Sequence, residues 1–265
     1  MNIILFERGE TRFARGDARA EHIRKILRKG AGDTFLAGEI DGPEGTATIV
    51  SADDSGVRFS FEAERPARPL FPVRLVVGFP RPIQLKRLLR DLASLGVESV
   101  SLCGTELGEK SYLESSLVDR GAARSALLDG CMQAGGTAVP ALSMRASVGE
   151  SLANDLPPLA GVGADLGAGY RILLDLEGAE GGLATLPLGP DGASGAPWRL
   201  SAESPLTLAL GSERGWTARE RETFAAAGFR VASLGPRVLR TETACVAAVS
   251  IALARAGFLD AGDAR

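Results

Sequence analysis

The spacing of apolar positions changes near residue 70. Before it, apolar and polar residues alternate in short runs, TFLAGEI (34–40), TATIVSA (46–52) and VRFSFEA (57–63), which is the period of half-buried strands. Turn chemistry at Gly30-Ala31-Gly32-Asp33 and Asp41-Gly42-Pro43 separates them, and the stretch AEHIRKILR (20–28) has helical spacing. Strands packed this closely predict a small barrel or sandwich. RPARPLFP (65–72) carries three prolines and neither period, so it reads as a linker.

Beyond the linker the runs become longer and the two periods alternate. VRLVVG (73–78) is continuously apolar, and PIQLKRLLRDLASL (82–95) has helical spacing with proline at its start and Gly96 after its end. VESVSL (97–102) is the next strand, 116–134 reads as helix, and RILLDL (171–176) and LTLAL (206–210) as buried strands. Residues 177–205 are rich in Gly, Pro, Ala and Ser and predict a loop. Thr217-Ala-Arg-Glu220 is a capping box opening a helix that Gly228 closes. FRVASL (229–234) is a strand, and a helix of small and apolar residues runs from Thr241 to Ala256. Such alternation predicts an α/β domain with a mostly parallel sheet.

Composition narrows the chemistry more than the fold. The 265 residues are 45% hydrophobic and 24% charged, as in a globular protein. No apolar run reaches the ~20 residues that span a bilayer, and MNIILFERGE lacks a signal-peptide pattern. Cysteines 103, 131 and 245 are far apart and odd in number, which argues against a disulfide framework or a metal site and for a reducing cytoplasm. A lone histidine, His22, excludes zinc sites built on several imidazoles and disfavours a Ser-His-Asp triad. The net charge of −3 hides segregation: eight Lys/Arg against four acids in 1–30, one against eight in 31–64, and seven bases with no acid in 65–90. A localised basic face of this kind suits phosphate; a solvated helix face is the competing reading for the third block.

A search for a dinucleotide fingerprint yields only GVGADLGAG (161–169), whose third glycine comes one place late and which reads as a linker. Two other glycine turns follow predicted strands: LALGSERGW (208–216) and LGPRVLRTETA (234–244). Ligands of open α/β sheets bind outside the carboxyl ends of strands. Together with Asp175-Leu176-Glu177-Gly178, these turns predict three loops around one crevice, able to hold a nucleoside-like ligand through backbone groups.

The order G-x-E-x-G-W, a helix, Gly-Phe, LGPRVLRTETA and an alanine-rich helix closely resembles the 16S ribosomal RNA uridine-N3 methyltransferases of the SPOUT superfamily. HIRKILRKGAGD (22–33) and Leu95-Gly96-Val97 extend the resemblance over nearly the whole chain. Departures exist: the family's usual Gly-Pro-Glu-Gly-Gly is Gly211-Ser212-Glu213-Arg214-Gly215 here. Its Glu-Gln pair and nearby arginine appear as Met132-Gln133 and Gly135-Gly136, and middle-helix positions hold Gln84, Lys86, Asp91 and Ser94. The resemblance implies an α/β fold with an N-terminal PUA-like RNA-binding β-barrel (1–68) and a C-terminal SPOUT methyltransferase domain (69–265) with a trefoil knot. It also implies a homodimer and S-adenosylmethionine as cofactor, with ribosomal RNA or the small ribosomal subunit as partner. The cofactor would be held by Leu174, Asp175, Leu176, Glu177 and Gly178, by Leu210, Gly211, Ser212, Glu213 and Gly215, and by Leu234, Gly235, Val238, Leu239, Thr241 and Thr243. RNA would meet His22, Arg24, Arg28, Arg87, Arg90 and Arg237.

Methyl transfer to a base nitrogen is an in-line displacement that needs alignment and charge stabilisation but no metal. At uracil N3 the departing proton leaves charge on the flanking carbonyl oxygens. Arg240 is the candidate to neutralise that charge or fix a phosphate, and Glu242 to accept the proton or hold the arginine. An Arg240–Glu242 salt bridge that only braces the turn is the structural alternative. Two functional alternatives stand beside the first: a different RNA substrate, and an RNA-binding protein without turnover.

Overall fold

The structure is a computed structural model that describes residues 2–109, 120–156, 169–188 and 197–260. It divides into two compact units, Met1–Leu70 with Leu127–Val139, and Phe71–Ala126 with Pro140–Arg265.

The first unit is built on a mixed five-stranded sheet in the order β1-β3-β4-β5-β2. Its strands are β1 (Ile4–Phe6), β2 (Arg12–Ala14), β3 (Thr34–Glu39), β4 (Glu44–Asp53) and β5 (Gly56–Arg65). The three longer strands fall on the alternating runs; β1 and β2, of three residues each, are too short to show a period. Only β1–β3 is parallel. The inward faces bring Phe6, Phe13, Phe35 and Phe59 together, with Phe6 and Phe59 edge to face at 5.3 Å. Helix α1 (Ala18–Glu21) opens on an Asp17 cap and passes into a π-helical turn over His22–Ile26. The segment after helix α3 (Arg120–Ala134) is sewn to the β3–β4 turn: Thr137 Oγ1 donates to the Gly42 carbonyl at 2.6 Å and the Val139 amide to Asp41 at 2.8 Å.

The second unit carries a six-stranded, all-parallel sheet in the order β11-β9-β10-β6-β7-β8. Its strands are β6 (Phe71–Gly78), β7 (Val97–Cys103), β8 (Ala141–Arg145), β9 (Tyr170–Leu174), β10 (Leu206–Leu210) and β11 (Arg230–Ala232). All five residues of β10 are buried, as expected of a central parallel strand covered on both faces. Helix α2 (Pro82–Ser94) buries Leu85, Leu88, Leu89 and Leu92, the i, i+3, i+4, i+7 stripe of an amphipathic helix. Helix α4 (Val148–Asp155) follows β8; neither was anticipated. Helix α5 (Ala218–Ala226) has the capping box, with Thr217 and Glu220 each bonding the other's backbone. Helix α6 (Thr241–Arg255) returns to pack against α2, β10 and β6.

Two expectations bear on residues partly outside those described. The first turn of the helix expected at 116–134 and nearly all of GVGADLGAG lie outside them. Within 177–205, Leu183 and Leu186 are buried, and Trp198 is buried with the Arg255 guanidinium over its ring at 4.9 Å.

Candidate functional site

Parallel register places three strand ends level. Leu174 at the end of β9 is paired with Leu210 at the end of β10 and with Ala232 at the end of β11. The loops that leave these ends surround one cavity of about 170 Å³, open to solvent. Leu174, Asp175 and Leu176 line it from β9, and Leu210, Gly211, Ser212, Glu213, Gly215 and Trp216 from β10. Leu234, Gly235, Arg237, Val238 and Leu239 line it after β11, with Thr241 and Ala244 of α6.

Local chemistry holds each loop. Asp175 donates its amide to the Ala232 carbonyl at 3.0 Å and turns the chain by accepting the Leu176 amide at 2.7 Å on its own carboxylate. The loop after β10 is a tight turn closed by the Gly215 amide on the Ser212 carbonyl. It approaches β6 so closely that a Cβ on Gly78 would lie 2.5 Å from the Ser212 nitrogen. Its side chains grip neighbouring loops: Ser212 and Thr105 share a hydroxyl hydrogen bond at 3.2 Å, Glu213 accepts the Arg81 amide at 3.0 Å, and Arg214 pairs with Glu109 at 3.1 Å. Gly235 has φ +101, the left-handed region that favours glycine. Thr241 Oγ1 donates to the Gly211 carbonyl at 3.2 Å, tying the start of α6 to the β10 loop. No side chain caps α6, so its first-turn amides remain available to an anion.

Of the residues singled out from sequence for cofactor or chemistry, Glu177, Gly178 and Thr243, and the two catalytic candidates Arg240 and Glu242, are not among those lining the cavity. The Asp175-centred turn carries Glu177 and Gly178 away, and Thr243 lies on the exposed side of α6. Arg237, expected to face RNA, lines the cavity instead. Trp216 and Ala244 were missed, although the Gly215-Trp216 pair closes the LALGSERGW turn. Arg240 is exposed and occupies the N-cap position of α6, without a capping hydrogen bond from its side chain, between two lining residues, Leu239 and Thr241, whereas Glu242 is 8% exposed. Among the described residues the two form no ion pair, so a turn-bracing Arg240–Glu242 bridge is absent. Burial, and then the charge of Glu242, push the Cys245 thiol far above its ordinary value.

The candidate RNA contacts belong to both units. In the first unit, His22 is half-buried with an unpartnered Nε2, and burial lowers its pKa. Arg24 lies 3.8 Å from Asp54, and Arg28 holds a positive φ. Arg19, within the basic N-terminal block, is engaged by Glu10 and Asp17 and stacks over Phe13. On α2, Arg87 and Arg90 share Asp91 at 3.6 and 3.9 Å and are otherwise open to solvent.

A parallel α/β sheet with a crevice over the carboxyl ends of its strands defines a class of proteins that bind a small ligand there. The RNA methyltransferase domain family matches residues 66–253. Over 262 residues the chain is 40% identical to the Ribosomal RNA small subunit methyltransferase E of Treponema pallidum, spanning 97% of this chain and 92% of that one. Two solved structures share the fold. A probable rRNA-methyltransferase from Porphyromonas gingivalis has a TM-score of 0.74 at 19% identity, over 97% of this chain and 99% of its own. A Ribosomal RNA small subunit methyltransferase E from Neisseria gonorrhoeae bound to S-adenosyl methionine has 0.72 at 17%, over 96% and 97%. The chain belongs to the RNA methyltransferase domain family.

Proposed function

We propose that this protein is an S-adenosylmethionine-dependent methyltransferase acting on N3 of a uridine in 16S ribosomal RNA. The observation that carries the reading is the single cavity at the level ends of β9, β10 and β11, lined by the motif that resembles the uridine-N3 enzymes. The name of the Treponema relative and the ligand of the Neisseria structure agree with it.

The residues present suit the cofactor. Leu174, Leu210, Leu234 and Leu239 give apolar walls for a purine, and the glycine-rich turns expose backbone donors and acceptors for its edge. When bound, it supplies an electrophilic methyl group. Arg240, with no acid partner among the described residues, is the group to meet charge developing on the uracil oxygens. Glu242, buried and in no ion pair among the described residues, is the candidate to take the N3 proton.

Several further readings accompany this one. Residues 1–68 act as a PUA-like RNA-binding barrel and 69–265 as the methyltransferase domain. A C-terminal trefoil knot is supported by β11 standing at the sheet edge while α6 returns to β10 and β6 in the middle. The active form is a homodimer in the cytoplasm. Ala248 and Ala252 of α6 are fully buried within the chain, which leaves half-buried Ala244 and Ala247, with exposed Val238 and Leu239, for a partner copy.

Calorimetry with S-adenosylmethionine should show one site per chain, and 16S RNA from cells lacking the protein should lose 3-methyluridine by mass spectrometry. Absence of binding at millimolar cofactor, or an unchanged nucleoside profile, would overturn the reading.

A further inference from the structure

We infer that Arg221, on α5, is a positioning residue that holds the β9 wall of the cavity against the β10–α5 segment. The inference rests on the cavity being the cofactor site. Arg221 uses its guanidinium as a fork: Nε meets Asp175 Oδ2 at 2.9 Å and Nη1 meets Glu177 Oε2 at 2.9 Å. The inner arm is largely removed from water, with Arg221 25% and Asp175 14% exposed, whereas Glu177 is 73% exposed. Asp175 Oδ2 takes the Nε arm of the fork, and Oδ1 accepts the amides of Leu176 at 2.7 Å and Glu177 at 3.2 Å. Its carboxylate is the pivot of the loop.

The other end of the clamp is rigid. Helix α5 starts at the Thr217–Glu220 capping box, and buried Glu220 also accepts the Glu106 amide at 2.9 Å, which anchors the helix to the loop after β7. Arg221 therefore links the wall formed by Leu174, Asp175 and Leu176 to an element already fixed at two points. A planar, two-armed cation suits this task; a lysine ammonium on its flexible stem lacks the rigid fork that holds both carboxylates at fixed positions. Without the fork, the β9 loop must be ordered when the ligand arrives, and that ordering weakens binding.

The test compares Arg221→Ala, Arg221→Lys and Glu177→Gln with wild type, using calorimetry with S-adenosylmethionine and steady-state methyl transfer to RNA. Arg221→Ala should raise the cofactor Kd about tenfold and Arg221→Lys about threefold, with Glu177→Gln within twofold because its arm is solvated. At saturating cofactor, kcat and the KM for RNA should stay within about twofold of wild type. A merely structural role would instead lower the bound stoichiometry and kcat together at an unchanged Kd, and that outcome overturns the inference. So does wild-type-like cofactor affinity in Arg221→Ala, while the functional reading survives. Wild type that binds no cofactor overturns the functional reading and this inference with it. Should Arg221→Ala fail to fold, the Kd and kcat of Arg221→Lys decide on the same criteria.

Discussion

Arg240 and Glu242 are neighbours of the cavity with contrasting surroundings. The arginine stands in solvent at the cap of α6, and the glutamate is buried in its first turn. A cation without an acid partner among the described residues can turn toward a substrate at little cost, because no ion pair among them has to be broken. Arg240→Ala should therefore lower the single-turnover rate of methyl transfer at least 100-fold, about 3 kcal/mol of transition-state stabilisation. Calorimetric affinity for S-adenosylmethionine should stay within a few fold, since the cavity is lined by the flanking Leu239 and Thr241. A rate near wild type would mean that charge at the uracil oxygens is met elsewhere.

Among the elements, β7, β8 and α4 are joined by one polar cluster. Asp155 on α4 accepts from Ser101 at 2.7 Å, Ser143 at 2.8 Å and Arg145 Nε at 3.0 Å. Burial alone would raise its pKa, but the Arg145 fork and the two hydroxyls outweigh burial and hold it below the ordinary 3.8. A carboxyl depressed in this way stabilises the fold fully above its unfolded value and loses that contribution as pH falls through the folded value. Arg145→Ala should lower the stability measured by urea unfolding at pH 7, because the Asp155 carboxylate loses its cationic partner. The difference from wild type should shrink below about pH 3.8, where protonation removes the charge that needed a partner. A difference that persists unchanged into acid would assign the loss to packing.

For the whole molecule, charge is distributed less simply than the blocks along the chain. In the basic stretch 65–90, Arg65 meets Glu44, Arg74 meets Glu98 and Arg81 meets Glu213, so several of its cations already face acids. Arg87 and Arg90 share one carboxylate and are 68% and 48% exposed; such exposed pairs contribute little and exchange readily for phosphate. If they carry RNA, Arg87→Glu with Arg90→Glu should flatten the slope of log affinity against log salt by about 0.7 for each single-strand phosphate set free. Cofactor affinity should not change. An unaltered slope would leave α2 a solvated face.

Local pattern determined the elements whose burial repeats at a fixed period: LTLAL as β10, the leucine stripe of α2 and the Thr217–Glu220 box of α5. It also marked the three turns at strand ends, because glycine and proline report backbone geometry directly. Strand β8 escaped because ALSMR is a half-buried edge strand with little contrast between its faces; β1 and β2 were too short. Tertiary structure alone decided that β10 lies between β9 and β6, which levels the strand ends and turns three separate loops into one cavity. It also decided which charges are engaged: Arg221 meets Asp175 across 46 residues, and Arg240 and Glu242, two apart, do not meet. The physical reason is that periodicity records which face of an element is buried. The partner that buries it, or that neutralises a charge, is set by register and packing between distant segments and leaves no mark in the local sequence.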